Sequence, residues 1–197
     1  MDSSHLIKDI FANTITLATN VKDTLSNDIV EVSALIFERL MNGNKIMACG
    51  NGGSAGDSQH FASELVNRFE IDRSELAGLA LTTDSSTITS IANDYGYEEI
   101  FSKQISALGK KNDILLAITT SGNSKNIYKA IEQAHKNDIT VILLTGKNGG
   151  KASTALKHGD REIRVPSNST ARIQEIHLVV IHCICSLIEN NMVENNE

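Results

Sequence analysis

Five short apolar segments recur along the chain, and each is separated from the next by a stretch with helical spacing. Their residues are apolar almost throughout, as is typical of strands buried on both faces of a parallel sheet. The pattern therefore predicts an α/β fold, a parallel five-stranded sheet that is doubly wound by helices in the flavodoxin-like manner. The predicted strands are residues 45–48, 76–81, 113–118, 140–144 and 162–165.

Both ends of the chain show helical patterns. From residue 4 to about residue 41, apolar side chains recur every three or four positions, and we expect two consecutive helices there, with Asn27 and Asp28 capping the second. Residues 171 to about 189 predict a long helix that is apolar on nearly every side and buried in the core or between subunits. We expect a single domain over residues 1–197, with residues 1–41 as its N-terminal helical arm.

Composition and charge exclude several classes of protein. The net charge of −6 gives no support for a nucleic-acid partner. We expect no apolar run long enough to span a membrane, and the start of the chain does not resemble a signal peptide, so a cytoplasmic protein without a membrane partner is predicted. Three cysteines in apolar stretches, Cys49, Cys183 and Cys185, are expected to be reduced thiols.

A glycine-rich turn follows the first predicted strand. After Gly50, Gly52 and Gly53 comes a helical pattern that carries His60 and Glu64 on one face, four positions apart. A dinucleotide-binding turn would require an acidic residue about 20 positions further on, whereas Asp84 is more than 30 positions away. The turn is therefore either a simple strand-to-helix connection or part of another ligand site.

A second loop favours a ligand site. Residues 119–124, Thr-Thr-Ser-Gly-Asn-Ser, follow the third predicted strand and precede a helix. Hydroxyl groups and the N–H groups at a helix N-terminus can together hold a phosphate. Capping by Ser124 would explain only one of the four hydroxyls. Because the carboxyl ends of parallel strands meet at one sheet edge, the two loops predict a common phosphate-binding crevice.

The residues of this crevice resemble a known family. Residues 50–54 with His60 and Glu64, Asn93 and Asp94, residues 119–124, and residues 170–175 with His182 are similar to the sugar isomerase (SIS) domain family, and within it to the phosphoheptose isomerases. The resemblance extends over almost the whole chain. It implies a homotetrameric isomerase that converts sedoheptulose 7-phosphate to D-glycero-D-manno-heptose 7-phosphate, the first step of ADP-heptose synthesis for the lipopolysaccharide core.

The resemblance also implies roles for individual residues. Glu64 is expected to act as the base at carbon, and His182 as the acid and base at the sugar oxygens. A zinc ion, one per site, is implied at His60, Glu64, Gln174 and His182. The residues expected to contact the sugar phosphate are Asn51, Gly52, Gly53, Ser54, Arg68, Asn93, Asp94, Thr119, Thr120, Ser121, Ser124 and Gln174.

Simpler interpretations exist for the same residues. The His60–Glu64 pair is compatible with a surface hydrogen bond, and His182 with a core histidine. His177 is a rival to His182 on the same helix, while His5, His135 and His158 are expected on the surface.

Two other functions would suit the same family. A non-catalytic SIS relative binds a DNA replication initiator, but it lacks the carboxylate and the histidine that this chain has at Glu64 and His182. A sugar-phosphate-sensing regulator would need a DNA-binding region, and residues 1–41 show no basic recognition helix.

Overall fold

The computed structural model describes residues 2–194 and contains one five-stranded parallel sheet. The strands are β1 (Ile46–Gly50), β2 (Gly78–Ala80), β3 (Ile114–Ile118), β4 (Thr140–Gly146) and β5 (Arg161–Val165). Along the sheet their order is β2-β1-β3-β4-β5, with every neighbouring pair parallel. This is the doubly wound arrangement predicted from the apolar segments, and all five predicted strands are present.

Helices cover both faces of the sheet. Strand residues alternate between two apolar layers, so that Ile46 and Ala48 pack on one face while Met47 and Cys49 pack on the other. The helices in the described residues are α1 (Ser3–Met41), α2 (Gly53–Val66), α3 (Ser85–Tyr95), α4 (Ser102–Leu108), α5 (Lys125–Lys136), α6 (Gly150–Thr154) and α7 (Thr170–Glu194), with a short 3-10 turn at Tyr97–Glu99. The first layer joins the sheet to α1, α2 and α7, and the second joins it to α4, α5 and α6.

The N-terminal region is one helix, and the prediction of two helices is wrong. α1 continues through Asn27 and Asp28, both of which are exposed on its surface. Apolar side chains on both sides of the predicted break, including Val21 and Ile29, are buried in the same layer. Their packing favours an unbroken helix over the local capping preference, since tertiary contacts commonly override propensity.

α7 is long and apolar enough to cross a membrane by length and composition, which corrects the expectation that no such run exists. Core helices of soluble proteins satisfy the same criterion. Here Ile176, Val180, Ile184 and Ile188 are buried against the sheet and α1. Packing in the core therefore accounts for the apolar residues on this face of the helix.

Two histidines, His135 and His177, lie in the interior of the protein. His135, which was expected on the surface, is largely buried, and its Nε2 is 2.7 Å from Asp160 Oδ2. His177 is fully buried, and its Nε2 lies 3.0 Å from the backbone oxygen of Thr145, to which it donates. Burial lowers the pKa of His177 to about 4, although the hydrogen bond to Thr145 opposes the shift.

The neutral state of His177 predicts a pH-dependent stability. Between about pH 4 and 6.5 the unfolded chain binds a proton at this position that the folded chain does not, so stability falls as the pH is lowered through this range. The loss attributable to His177 should approach about 3 kcal/mol near pH 4. Urea unfolding at pH 7 and pH 4.5 should show a smaller pH-dependent loss for His177→Gln than for the wild type. His158→Gln, at an exposed position, should behave as the wild type does, and an unchanged pH dependence in His177→Gln would contradict the assignment.

Candidate active site

The two predicted loops meet at the point where the strand order reverses. The chain passes from β1 to β2 on one side and later enters β3 on the other side of β1. The loops that leave the carboxyl ends of β1 and β3 therefore face one another across a crevice. The crevice is a cavity of about 290 Å³, here called the cradle. It is lined by Asn51, Gly52, Gly53, Ser54, Ile118, Thr119, Thr120, Ser121, Ser124, Thr170 and Gln174.

The β1 loop brings the start of α2 very close to α7. A Cβ atom at Gly53 would lie only 2.4 Å from Nε2 of Gln174, so glycine is needed for the observed position of the amide. Sequence spacing alone could not show this contact, because the two residues are more than 100 positions apart. The close approach places the Gln174 amide inside the cradle.

The β3 loop presents hydroxyl groups that are not used as helix caps. Ser124 is the N-cap residue of α5, but its side chain makes no capping hydrogen bond. Thr119 Oγ1 accepts a hydrogen bond from the backbone N–H of Gly122, at 3.2 Å. Gly122 has φ +67°, and a Cβ there would collide with the backbone oxygen of Gly149, so this turn accepts only glycine. The fixed turn directs the loop toward the cavity.

Three helix N-termini converge on the cradle. α2 begins at Gly53, α5 begins directly after Ser124, and α7 begins at Thr170, and all three residues line the cavity. No charged side chain is among the lining residues. Positive potential in the cradle therefore comes from backbone N–H groups and helix dipoles, an arrangement suited to an anion such as phosphate.

A pair of amides joins the β1 loop to the first turn of α5, and of its two members only Asn51 was predicted from the sequence. Asn51 Nδ2 donates to Asn126 Oδ1 at 2.9 Å, and Asn126 Nδ2 donates back to Asn51 Oδ1 at 2.8 Å. The Tyr97 hydroxyl also donates to Asn51 Oδ1, at 3.1 Å. Asn126 is almost completely buried, so this reciprocal pair fixes the distance between the β1 loop and α5. The Ser-Lys-Asn start of α5 could have indicated a helix terminus, but not its partner.

His60, Glu64 and His182 form a second group further along α2 and α7, here called the acid–base group. Nε2 of His60 lies 2.9 Å from Nε2 of His182, and 3.6 Å from Oε1 of Glu64. The rings of His60 and His182 have centroids 5.2 Å apart. His182 therefore lies beside His60 and close to Glu64, whereas the rival His177 is in the core.

The electrostatic surroundings of this group are shaped by burial. Asp57, one helical turn before His60, has a pKa raised by burial, and the charge of His60 acts in the opposite direction. One oxygen of Asp57 is buried without a hydrogen-bond partner. Burial raises the pKa of the nearby Cys185 thiol to about 12, with the charge of Glu64 adding to the effect. Cys185 is therefore an unreactive thiol near neutral pH.

The donor atoms of the acid–base group are of the types that bind zinc in proteins. Imidazole nitrogens and a carboxylate oxygen are usual zinc ligands, and in a tetrahedral site two nitrogens would lie about 3.3 Å apart. The His60 and His182 nitrogens, at 2.9 Å, are slightly closer than that. Within residues 2–194 no three His, Cys, Asp or Glu side chains form a ready-made metal cluster, so small ring rotations would be needed. Gln174, the fourth predicted ligand, lies in the cradle about two helical turns before His182.

Three residues expected to contact substrate lie outside the cradle lining. Arg68 is exposed, and its Nη1 donates to the backbone oxygen of Glu70 at 3.4 Å. Asn93 and Asp94 are exposed near the end of α3, where the Asn93 amide donates to the Asp94 carboxylate at 2.9 Å. The remaining predicted contact residues all line the cavity, together with Ile118 and Thr170, which were not predicted.

Comparisons with known proteins agree with this geometry. The model of the SIS domain family matches residues 10–146. A protein of Shewanella sp. strain ANA-3 named phosphoheptose isomerase is 56% identical over 191 residues, which are 97% of each chain.

Solved structures of the same kind are also similar. The structure of phosphoheptose isomerase GmhA from Neisseria gonorrhoeae has a TM-score of 0.91 and 45% identity, covering 95% of this chain and 98% of that one. A phosphoheptose isomerase from Francisella tularensis has a TM-score of 0.94 and 43% identity, covering 96% of this chain and 100% of that one.

The contact between Gly53 and Gln174 predicts the effect of one methyl group. Gly53→Ala should displace the flexible Gln174 amide from the cradle while leaving the melting temperature nearly unchanged. Loss of one hydrogen bond to a bound anion should weaken the binding of inorganic phosphate by roughly ten-fold. Gly56→Ala is the matched control on the same helix, because nothing lies within 4 Å of the added methyl group. Equal phosphate affinity in Gly53→Ala and wild type, measured by calorimetry, would remove Gln174 from the binding site.

Proposed function

This chain belongs to the SIS domain family and, within it, to the phosphoheptose isomerases, and we propose that it converts sedoheptulose 7-phosphate to D-glycero-D-manno-heptose 7-phosphate. The observation that carries the proposal is the meeting of His182, His60 and Glu64 beside a phosphate-sized cradle with no charged lining. Aldose–ketose isomerisation of a sugar phosphate requires an acid–base pair at the carbonyl end of the sugar and a binding site for the phosphate at the other end. We propose that this reaction is the first step of ADP-heptose synthesis for the lipopolysaccharide core and that it takes place in the cytoplasm.

The distance between the cradle and the acid–base group matches the length of a seven-carbon sugar phosphate. Gln174 in the cradle and His182 in the acid–base group are eight residues apart on α7, a rise of about 12 Å. In an extended seven-carbon sugar the phosphorus and C1 are separated by roughly 10 Å, given ordinary bond lengths. A phosphate held in the cradle would thus let the carbonyl end reach His182. A three- or four-carbon sugar phosphate would be too short.

Each residue has a definite part in the proton transfers. Glu64 removes a proton from C1 of the open-chain ketose, while His182 gives a proton to the carbonyl oxygen at C2, which yields an enediol. His182 then takes the proton of the C1 hydroxyl, and Glu64 returns its proton to C2, which yields the aldose. Both residues end in their starting states, so the cycle is balanced. His60 holds the His182 ring by the contact between their Nε2 atoms.

A zinc ion would be held by His60, Glu64 and His182, whereas Gln174, the fourth ligand that the resemblance implies, lies about two helical turns away in the cradle. When bound, the ion would supply a Lewis acid that polarises the sugar oxygens. The proposal rests on the donor types and on the 2.9 Å and 3.6 Å separations described above.

The non-catalytic, initiator-binding function is not favoured. The matching relatives and structures carry the name phosphoheptose isomerase. A binding protein would also gain nothing from Glu64 and His182, which are both near His60 and only partly exposed.

We further propose that the chain assembles as a homotetramer. Several large apolar side chains of α1 and α7 are exposed in the single chain, and patches of this kind commonly mark interfaces. α1 is fixed against α7 by the hydrogen bond from Thr14 Oγ1 to Glu175 Oε2, at 2.9 Å, so both helices offer one surface. Packing of such helices between subunits would cover it. The exposed residues are Leu6, Ile7, Ile10, Phe11, Ile15, Leu178 and Val179.

The first test is turnover itself. Pure protein incubated with sedoheptulose 7-phosphate should form the aldose, as seen by NMR. Glu64→Gln should slow turnover by about 10²–10⁴-fold, because the general base is lost, and should leave sugar-phosphate binding largely intact. Glu75→Gln, an exposed carboxylate on the following loop, should retain wild-type turnover. Near-wild-type turnover in Glu64→Gln would show that another residue is the base.

The metal proposal predicts one zinc ion per chain by elemental analysis of the purified protein. His60→Asn should lower the zinc content strongly, because an imidazole ligand is lost. His158→Asn, at an exposed histidine, should not lower it. Protein without metal that also fails to bind added zinc would count against the proposal.

Light scattering at micromolar concentration should give the mass of four chains. Replacement of two exposed apolar residues of α1, in Phe11→Glu/Ile15→Glu, should reduce the mass because charges at an apolar interface are costly. A double variant at exposed polar positions on another face of α1, Asn20→Glu/Asn27→Glu, is the control. A monomeric wild type would refute the assembly.

A further inference from the structure

A buried carboxylate at the far end of α7 holds the segment that follows α2. Only 2% of the Glu189 side chain is exposed. Its Oε1 accepts a hydrogen bond from the backbone N–H of Phe69 at 2.8 Å. Its Oε2 accepts from the backbone N–H groups of Glu70 and Ile71, both at 2.9 Å. Three consecutive N–H groups of the connection are therefore fixed by one side chain from a distant helix.

A buried arginine links the same carboxylate to the end of α2. The Arg73 side chain is 6% exposed, and its Nε lies 3.4 Å from Oε1 of Glu189. Its Nη1 donates to the backbone oxygen of Leu65 at 2.9 Å, and its Nη2 to that of Glu64 at 2.5 Å. Arg73 thus satisfies carbonyl groups of the last turn of α2, which have no partner within the helix.

The segment held in this way touches the acid–base group. The ring of Phe69 lies 5.3 Å from the ring of His182, centroid to centroid, with an angle of 33° between their planes. Glu64, the expected base, lies in the last turn of α2, whose carbonyl groups Arg73 holds. Both expected proton-transfer residues are therefore one contact away from the Glu189–Arg73 pair.

The ion pair between Glu189 and Arg73 is better suited to fixing local geometry than to stabilising the fold. Burial tends to raise the pKa of Glu189, but the three backbone hydrogen bonds and the charge of Arg73 outweigh it, and the net pKa lies below its ordinary value. The carboxylate is therefore ionised near neutral pH. A buried ion pair generally stabilises a fold no better than apolar residues of the same size, whereas it fixes geometry through directional hydrogen bonds.

We propose that Glu189 and Arg73 are positioning residues: they hold Phe69 against the His182 ring and fix the last turn of α2 that carries Glu64. This inference rests on the proposed isomerase function. It does not involve the cradle, which lies at the opposite ends of α2 and α7. Loss of the pair should therefore change the rate of the chemical step and leave phosphate recognition intact.

Glu189→Gln tests the proposal, with Glu194→Gln as the matched control at an exposed carboxylate of the same helix. A glutamine has one acceptor oxygen for three N–H groups, and it turns an NH₂ group toward at least one of them. We expect kcat to fall at least ten-fold while KM for sedoheptulose 7-phosphate changes less than two-fold. The control should keep both constants.

A spectroscopic measurement separates positioning from general destabilisation. The imidazole protons of His182, assigned by their loss in His182→Asn, feel the ring current of Phe69. Their NMR shifts should move in Glu189→Gln and in Phe69→Leu, and remain unchanged in Glu194→Gln. Because Phe69→Leu leaves the backbone bonds to Glu189 available, it provides the test if Glu189→Gln does not fold, and it should also lower kcat.

Each outcome of these measurements either supports or overturns the positioning role of Glu189 and Arg73. Wild-type kcat in folded Glu189→Gln or in Phe69→Leu overturns the proposal, as do unchanged His182 shifts in either variant. Equal losses in kcat and in phosphate affinity would show a general structural defect and would also overturn it. A wild-type protein that does not isomerise the sugar would refute the proposed function, and the His182 shifts would still decide whether the pair positions the ring.

Discussion

The parallel pairing of β1 with β3 is the constraint on which the rest of the site depends. Because β1 is followed in sequence by β2 on one side and joined by β3 on the other, the two crossovers leave the sheet in opposite directions. The space between their first loops is the cradle. Hydrogen bonds of the Asn51–Asn126 pair then set its width, so backbone topology and one buried amide pair together define where an anion can bind.

The packing of α2 on α7 converts this anion site into a site for a long substrate. The start of α2 touches Gln174, and His60 touches His182 further along both helices, so the two helices run side by side in the same direction. A rigid pair of helices can hold two functions about 12 Å apart without a flexible loop between them. The Glu189–Arg73 contacts extend the same packing beyond the end of α2.

The distribution of charge differs between the cradle and the acid–base group. The chain has a net charge of −6, yet no carboxylate lines the cradle, where a phosphate would be repelled. The ionisable groups are placed instead where protons would move, at Glu64, His60 and His182. Helix N-termini supply attraction in the cradle without a lysine or arginine that could titrate or move.

The fold class, the five strands and the two loops could be predicted from the sequence, because they follow from local patterns: apolar runs, glycine turns and hydroxyl-rich helix starts. The sequence also pointed, through family resemblance, to Glu64 and His182. The tertiary structure placed His182 beside His60 and His177 in the core, although the two histidines have similar apolar neighbours in sequence, because their faces of the helix meet different surroundings. It also showed that α1 continues through Asn27 and Asp28 as one long helix. The contacts of Asn126, Phe69 and Glu189 became apparent only in the folded chain. Contacts between residues far apart in sequence carry no local pattern, since packing and buried hydrogen bonds arise only when the distant elements meet.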